Sequence, residues 1–263
     1  MGRAFLENTF IKVLENGDKV FVPYIMAGDG GVENLTDQLL KLENYGATAI
    51  EIGIPFSDPV ADGPTIQEAG KRALQSGATL SSIFDHLKLR RREVKIPIIF
   101  MTYMNPIFHY SIERFVSDCV EAGVDALIIP DLPMEHYDLI GPQLKEAGVA
   151  LIQLATLTSP LSRLEAIAKL SEGFLYAVTI NGTTGAREGF DTTIEDHLKK
   201  LKAISPVPVL AGFGISQPEH VRELSSVCDG VVVGSRVIDL LQKNDNNALL
   251  SLIQSAKMTK LEY

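Results

Sequence analysis

Short apolar segments alternate with amphipathic segments along the chain. Eight of the apolar segments are rich in β-branched residues and are apolar at nearly every position, as parallel strands are when helices cover the sheet. They span residues 20–26, 48–54, 97–103, 125–130, 149–154, 174–179, 207–213 and 230–234. This pattern predicts about eight buried parallel strands.

The segments between the predicted strands have the spacing of amphipathic helices. One apolar stripe consists of Val32, Leu35, Leu39 and Leu42, and another of Ile112, Phe115, Val116, Cys119 and Val120. Gly46, Gly123 and Gly148 stand where helices are expected to end, since glycine accepts the left-handed conformation that often closes a helix. Ser216 and Glu219 have the spacing of a capping box, which predicts that a helix begins directly after Ser216.

Strands recur with a period of roughly 25–30 residues, which suits a (β/α)8 barrel. We therefore predict the α/β class and a single (β/α)8 TIM barrel domain over residues 1–263. An open, doubly wound sheet is the alternative, because the sequence does not show whether the first and last strands pair. Extra helices are predicted at residues 4–14, where one could cover the barrel bottom, and at residues 64–74 after the second strand.

Composition narrows the class of protein. The 263 residues are 46% hydrophobic, enough for a sizeable core, and the net charge of −9 argues against a nucleic-acid partner. No apolar run reaches the roughly 20 residues of a membrane span, and the N-terminus has no secretory apolar region. Cys119 and Cys228 are too few for a metal quartet and are predicted to be packed, reduced thiols. We expect a cytoplasmic protein that binds no metal, membrane or nucleic acid.

Glu51 and Asp62 are the strongest candidates for chemistry. Glu51 lies between two isoleucines near the end of the second predicted strand, and Asp62 follows at the far end of a proline-containing loop. In a (β/α)8 barrel the active site forms where strands end and the following loops begin. Two carboxylates that reach one such cavity in different surroundings indicate acid–base chemistry on a small molecule.

A group of late glycines indicates a phosphate site. Gly212 and Gly214 lie where the seventh predicted strand ends, while Gly234 and Ser235 close the eighth and open a helix. Glycine lets a ligand approach the backbone closely, and the free N–H groups of a helix N-terminus attract anions. The loops after strands seven and eight are the usual phosphate site of this barrel, although ordinary turn glycines are an alternative. No P-loop motif is present, which argues against nucleotide hydrolysis.

Segment 50–63, which reads IEIGIPFSDPVADG, resembles the signature of the tryptophan synthase α subunit family. Further stretches resemble the same family and extend the likeness from about residue 20 to residue 236. These stretches are 21–29, 103–106, 130–133, 184–186, 212–216 and 234–235. The carboxylate segment is highly specific, whereas the glycine clusters alone are shared by many barrel enzymes.

The resemblance implies a lyase of tryptophan biosynthesis that cleaves indole-3-glycerol phosphate to indole and glyceraldehyde 3-phosphate in a retro-aldol reaction. The carbon–carbon bond can break only after ring carbon C3 has been protonated. Glu51 would supply this proton, because apolar surroundings raise the pKa of a carboxyl group. Asp62, more hydrated in its loop, would stay ionised, accept a hydrogen bond from the indole N–H and stabilise the positive charge. Whether Glu51 also takes the glycerol hydroxyl proton is left open by the sequence.

The resemblance also implies a set of substrate-binding residues. Tyr176 would line the cleft, and Thr184 would tie the sixth loop to Asp62 when this loop closes and excludes water from the indole. Gly185 would add an N–H group to the phosphate site. The apolar slot for the ring would be formed by Tyr24, Phe56 and Tyr103, and packing alone is the alternative role for each of them.

Two positions of the sixth loop depart from the family pattern. Many members carry arginine at the position of Ile180 and an apolar residue at the position of Thr183. This departure puts loop closure and signalling between subunits in doubt, but it does not affect the cleavage chemistry.

Members of the family usually bind a pyridoxal-phosphate-dependent β subunit that receives the indole, so the resemblance implies an α2β2 complex. The pyridoxal phosphate would belong to the β subunit, and no cofactor is expected in this chain, where no lysine has a context that suggests a Schiff base. Segments 55–59, 105–109 and 131–135 lie on the mouth side, where this partner would dock. Asp131 is either structural or part of the coupling to the partner.

Two other functions stay open at this point. One is another phosphosugar barrel enzyme, such as an isomerase or a synthase that forms indole-3-glycerol phosphate. Such an enzyme would lack the Glu51–Asp62 segment, and the synthase would also need a lysine inside the barrel. A non-catalytic partner that only binds and activates a β subunit would not need both carboxylates. The retained pair therefore favours the lyase.

Overall fold

Eight parallel strands form a closed barrel in which each strand pairs with the next along the chain and the last pairs with the first. The computed structural model describes residues 1–179, 192–212 and 214–257. The strands are β1 (Val20–Met26), β2 (Ile50–Gly53), β3 (Ile98–Met101), β4 (Ala126–Ile128), β5 (Ala150–Thr156), β6 (Leu175–Val178), β7 (Val209–Gly212) and β8 (Gly230–Val233). The pairing of β1 with β8 confirms the predicted (β/α)8 barrel and excludes the open sheet.

Helices surround the barrel and connect its strands. They are α1 (Arg3–Glu15), α2 (Leu35–Asn44), α3 (Pro64–Gln75), α4 (Leu80–Arg90), α5 (Met104–Tyr110), α6 (Ile112–Glu121), α7 (Gly141–Ala147), α8 (Leu161–Leu170), α9 (Thr192–Ile204), α10 (Pro218–Val227), α11 (Ser235–Gln242) and α12 (Asn246–Gln254). Short 3-10 helices lie at Val32–Asn34, Arg91–Glu93 and Met134–Leu139. The extra helices predicted at 4–14 and 64–74 are α1 and α3.

Most observed strands are shorter than the apolar segments that predicted them. The segment 48–54 contains β2 at Ile50–Gly53, and the segment 97–103 contains β3 at Ile98–Met101. The residues just beyond the strand ends are still buried, as Thr48 and Ile54 are on either side of β2, so the apolar pattern extends past the paired residues. The apolar composition of a segment therefore predicts which residues are buried. The last paired residue of each strand is known only from the packed barrel.

Alternate side chains of each strand pack into different cores. In β1, Phe21 and Ile25 face the helices, while Val20, Val22, Tyr24 and Met26 belong to the cluster inside the barrel. In β2, Ile50 and Ile52 face the helices, so the intervening Glu51 points into the barrel. The period of two in a strand thus places a carboxylate among apolar interior residues.

Helix α1 covers the bottom of the barrel, where the strands begin. Its residue Phe10 packs against Phe174, which directly precedes β6, with ring centroids 5.8 Å apart. The N–H of Gly2 donates to the carboxylate of Asp125, which precedes β4. Arg91 forms an ion pair with the same carboxylate at 3.0 Å. The bottom is therefore closed by apolar packing and by a buried ionic contact. The packing of α1 confirms that a helix at residues 4–14 covers the barrel bottom, whereas the ionic contact was not predicted.

Two further predictions concern thiols and membranes. Cys119 and Cys228 are both buried free thiols, and burial raises the pKa of each one. They are packed, reduced thiols as predicted. Across residues 1–179, 192–212 and 214–257, no helix combines the length and the apolar character that crossing a membrane requires.

Candidate active site

The carboxyl ends of the strands surround a cavity of about 410 Å³. Residues on β1 to β6 and on β8 line it, together with the loop after β2 and the loops after β7 and β8. Seven of the residues singled out in the sequence lie on its wall: Tyr24, Glu51, Asp62, Tyr176, Gly214, Gly234 and Ser235. Tertiary structure thus brings together residues that are far apart along the chain.

Glu51 is a buried carboxyl group with one oxygen that lacks a hydrogen-bond partner in the described part of the chain. It is 4% exposed, and its Oε2 atom has no partner among the described residues. Burial, and secondarily the nearby charge of Asp62, raises the pKa of Glu51 to about 8. A carboxylate without a counter-charge is costly in an apolar environment, so Glu51 holds its proton near neutral pH.

Asp62 lies at the end of the loop between β2 and α3, directly before the helix cap Gly63 and the first helical residue Pro64. Its backbone carbonyl accepts a hydrogen bond from Nε2 of Gln67 at 2.8 Å, which fixes the loop against α3. Burial raises the pKa of Asp62 to about 6, and a hydrogen bond from the hydroxyl of Tyr103 opposes this rise. Asp62 is therefore the stronger acid of the two carboxyl groups.

Tyr103 supports the loop that carries Asp62. Its hydroxyl accepts a hydrogen bond from the N–H of Ala61 at 3.1 Å and donates to the carboxylate of Asp62. The ring of Phe56 packs on the Tyr103 ring with centroids 5.5 Å apart. Neither Phe56 nor Tyr103 is among the residues that line the cavity. Their predicted contact with a substrate ring stays a prediction, while their contact with the loop is observed.

Two tyrosines approach the backbone of neighbouring strands. A side chain added at Gly53 would collide with the phenol of Tyr24, and one added at Gly212 would collide with the phenol of Tyr176. Both tyrosines line the cavity, but Gly212 does not. Gly212 therefore makes room for Tyr176, a role different from the ligand contact predicted for it, and that contact stays a prediction.

Backbone groups dominate the other side of the cavity. Gly214 has a φ of +77°, a left-handed conformation that favours glycine. Gly234 caps α11 and Ser235 is its first residue, so free N–H groups of the first helical turn lie at the cavity wall. This is the arrangement that binds anions at helix N-termini.

Several lining residues were missed by the sequence reasoning. The apolar walls include Met101, Ile128 and Leu154, which come from successive strands, and α11 adds the charged Arg236 and Asp239. The alternation of inward residues in each strand was a signal that could have identified the apolar ones. No sequence signal distinguishes Arg236 and Asp239 from ordinary surface charges of a helix.

Some predicted site residues lie outside the described ranges. They are Thr184 and Gly185, predicted to hold the sixth loop and the phosphate, and Ile180 and Thr183, which depart from the family pattern.

The described part of the cavity already combines two carboxyl groups of different pKa, apolar walls and a helix N-terminus. Such a cavity suits proton transfer on an apolar molecule with an anionic end.

Comparison with known proteins gives one consistent family. The family model described as tryptophan synthase alpha chain matches residues 10–262. A tryptophan synthase alpha chain from Bacillus cereus (strain ATCC 10987 / NRS 248) is 54% identical over 243 residues, which cover 92% of this chain and 94% of the relative. The alpha chain from Bacillus anthracis is similar to the same extent.

Solved structures agree with the sequence relatives. A chain of Mycobacterium tuberculosis tryptophan synthase superposes with a TM-score of 0.89 at 28% identity, covering 96% of this chain and 98% of that chain. A chain from the tryptophan synthase a2b2 complex of Pyrococcus furiosus superposes with a TM-score of 0.81 at 39% identity, covering 91% and 96%. Sequence and structure comparisons therefore point to the same proteins.

Proposed function

The chain belongs to the tryptophan synthase alpha chain family, and from this membership we propose how its own residues carry out the family's reaction. It is a carbon–carbon lyase of tryptophan biosynthesis that cleaves indole-3-glycerol phosphate to indole and glyceraldehyde 3-phosphate. One observation carries the assignment of residues. Glu51 and Asp62 are buried in a common cavity, and their pKa values differ, at about 8 and about 6.

Glu51 is the proton donor in this proposal. Its raised pKa keeps it protonated near neutral pH, so it gives its proton to ring carbon C3. Protonation converts the indole into a cation that accepts the electron pair of the bond to be broken. The resulting Glu51 carboxylate takes the proton of the neighbouring glycerol hydroxyl, which restores the carboxyl group and releases the aldehyde.

Asp62 stabilises the positive charge of the protonated ring in this proposal. Above a pH of about 6 it is ionised, so its carboxylate accepts a hydrogen bond from the ring N–H and stabilises the cation. Tyr103 holds this carboxylate in position through the hydrogen bond described above. A fixed carboxylate needs little reorganisation when the ring becomes charged.

The phosphate of the substrate binds at the loops after β7 and β8. Backbone N–H groups at Gly214, Gly234 and Ser235 are the described donors, because Gly214 lines the cavity in the loop after β7, and Gly234 and Ser235 line it at the N-terminus of α11. Gly185 would add one more donor and Thr184 would close the sixth loop. Apolar side chains between the two ends of the cavity, among them Met101, Ile128 and Leu154, contact the ring.

A β subunit is the proposed partner, in an α2β2 complex. The Pyrococcus furiosus relative was solved as an a2b2 complex, which supports the same assembly here. Segments 55–59, 105–109 and 131–135 form the proposed docking surface. Pyridoxal phosphate would belong to the partner, as membership of the family implies.

A direct test mixes purified protein with indole-3-glycerol phosphate and measures release of indole, with and without a β subunit. We expect release in both mixtures and faster release in the complex. A protein that releases no indole in either mixture but accelerates the reaction of the β subunit would instead be a non-catalytic activator. Absence of both activities would reject the lyase for this chain.

A further inference from the structure

The Tyr24 hydroxyl is a buried polar group without a hydrogen-bond partner among the described residues. Tyr24 is 3% exposed, and its hydroxyl makes no hydrogen bond with any described residue. Tyr103 differs, because its hydroxyl contacts Ala61 and Asp62. A ring needed only for packing is served equally by phenylalanine, which has no hydroxyl to bury. The Tyr24 hydroxyl therefore points to a ligand.

Glu51 lies beside Tyr24 and has a buried oxygen that no described residue satisfies. The two residues are directly paired in the register of β1 and β2, and both line the cavity. Within residues 1–179, 192–212 and 214–257, neither the buried Oε2 atom of Glu51 nor the Tyr24 hydroxyl has a partner, so the two groups are not hydrogen-bonded to each other. A group placed between them can satisfy both.

Gly53 determines where the phenol ends. It lies two residues after Glu51 on the same face of β2, a step of roughly 6–7 Å along a parallel strand. A Cβ atom at Gly53 would collide with the Tyr24 hydroxyl, so this hydroxyl lies over Gly53 on the mouth side of Glu51. Glycine weakens a strand interior, and close approach of this phenol explains its presence here.

We propose that the Tyr24 hydroxyl and Oε2 of Glu51 together bind the substrate hydroxyl on the carbon that separates from the indole ring. This inference rests on the proposed function. The Tyr24 hydroxyl donates to the oxygen of that group, and Glu51 accepts its proton. Tyr24 is thus a substrate-binding residue that recognises a hydroxyl group, in addition to lining the slot for the ring.

The proposed contact fits the electron flow of the cleavage. The hydroxyl proton passes to the Glu51 carboxylate, the electron pair of the carbon–carbon bond returns to the ring, and the oxygen becomes the aldehyde oxygen. Negative charge grows on this oxygen as its proton leaves, so a hydrogen bond from Tyr24 strengthens in the transition state. Burial raises the pKa of Tyr24 well above its usual value, which keeps the phenol protonated.

The test compares two ligands on a Tyr24→Phe variant. Cleavage of indole-3-glycerol phosphate should lose about tenfold in kcat/KM, the effect of one hydrogen bond. Binding of indole-3-propanol phosphate, which has the ring and phosphate but neither hydroxyl, should change by less than about twofold. Tyr45→Phe is the matched control, because Tyr45 packs among helices outside the cavity, and it should leave both measurements unchanged.

Gly53→Ala gives a second measurement that keeps the ring and its hydroxyl. The added methyl displaces the phenol, so the same selective loss for the hydroxyl-bearing ligand is expected. If Tyr24→Phe lowers kcat/KM for the substrate and the affinity for indole-3-propanol phosphate equally, the tyrosine only packs against the ring. If neither value falls, its hydroxyl makes no contact with the substrate. Either result on an active wild-type enzyme overturns this inference alone, whereas a wild type that releases no indole overturns the proposed function with it.

Discussion

Buried carboxyl groups occur at both ends of the barrel, and their surroundings are opposite. At the bottom, Asp125 is fully buried and accepts hydrogen bonds from the guanidinium of Arg91 at 3.0 Å and from the N–H of Ile98 at 2.9 Å. The N–H of Gly2 donates to it as well. At the mouth, Glu51 is also buried, at 4% exposure, but its Oε2 atom has no partner among the described residues.

This difference distinguishes a carboxylate that stabilises the fold from one that can take part in a reaction. Burial raises the pKa of Asp125 as well, but the charge of Arg91 and the hydrogen bonds from Ile98 and Gly2 oppose the rise. At Glu51, no described group lowers the pKa, and the charge of Asp62 raises it further than burial alone. A satisfied carboxylate stabilises the fold, whereas an unsatisfied one has a raised proton affinity that a reaction can use.

The largest expected effect is on catalysis at the mouth. Glu51→Gln removes the transferable proton while keeping the shape of the side chain, so the rate of indole release should fall by roughly 10²–10⁴-fold. Unfolding by urea at neutral pH should show no loss of stability, because a neutral amide replaces a group that is already protonated. A variant that releases indole at the normal rate would remove Glu51 from the role of proton donor.

At the bottom, the expected effect is on stability. Asp125→Ala leaves the guanidinium of Arg91 buried without its counter-charge, which should lower the free energy of unfolding by about 3–5 kcal/mol. The folded fraction should keep normal kcat, because the cavity is at the other end of the barrel. Replacing both partners, as in Arg91→Met with Asp125→Leu, should recover part of the loss. Equal activity losses in Asp125→Ala and Glu51→Gln would contradict the separation of roles.

The two ends should also differ in how stability depends on pH. The pKa of Glu51 is about 8 in the folded protein and near 4.5 in an unfolded chain, so the folded state retains a proton that the unfolded state releases between these values. Stability from this group is therefore present at low pH and is lost as pH rises from about 4.5 to 8.

The Glu51→Gln variant has no carboxyl group at this position, so its free energy of unfolding should not fall in this way. The difference in free energy of unfolding, variant minus wild type, should therefore increase with pH by a few kcal/mol, because one pKa unit corresponds to about 1.4 kcal/mol. Chemical unfolding of both proteins at several pH values measures the difference. Parallel curves for the two proteins would show that Glu51 carries no raised proton affinity.

A smaller effect is expected for the second carboxylate of the mouth. Asp62→Asn keeps a hydrogen-bonding group but loses the charge that stabilises the ring cation, so kcat/KM should fall by roughly 10–100-fold, less than for Glu51→Gln. In wild type, activity should decline below pH 6 as Asp62 is protonated and above pH 8 as Glu51 is ionised. The decline below pH 6 should be absent in Asp62→Asn, and its persistence would assign that decline to another group.

Local patterns were sufficient for most of the architecture. Gly46, Gly123 and Gly148 take positive φ values at helix ends, as predicted. The capping box proposed for Ser216 is wrong, because α10 begins at Pro218 with Gln217 as its cap and no side-chain cap bond. The fixed φ of proline suits the first helical position, and this preference outweighed the capping spacing.

The sequence alone determined the alternation of strands and helices, the inward direction of Glu51 and the family, because strand periodicity and a specific segment are local properties. Tertiary structure decided that the sheet closes, that Tyr103 holds Asp62, and that Gly53 and Gly212 admit the phenols of two tyrosines. It also left the Tyr24 hydroxyl and Oε2 of Glu51 without partners among the residues that the structure describes. These facts depend on the register and closure of the barrel, which bring distant residues within a few ångströms of each other. Chemistry at this site depends on which polar groups are left unpaired, and that is fixed only when all the neighbours are in place.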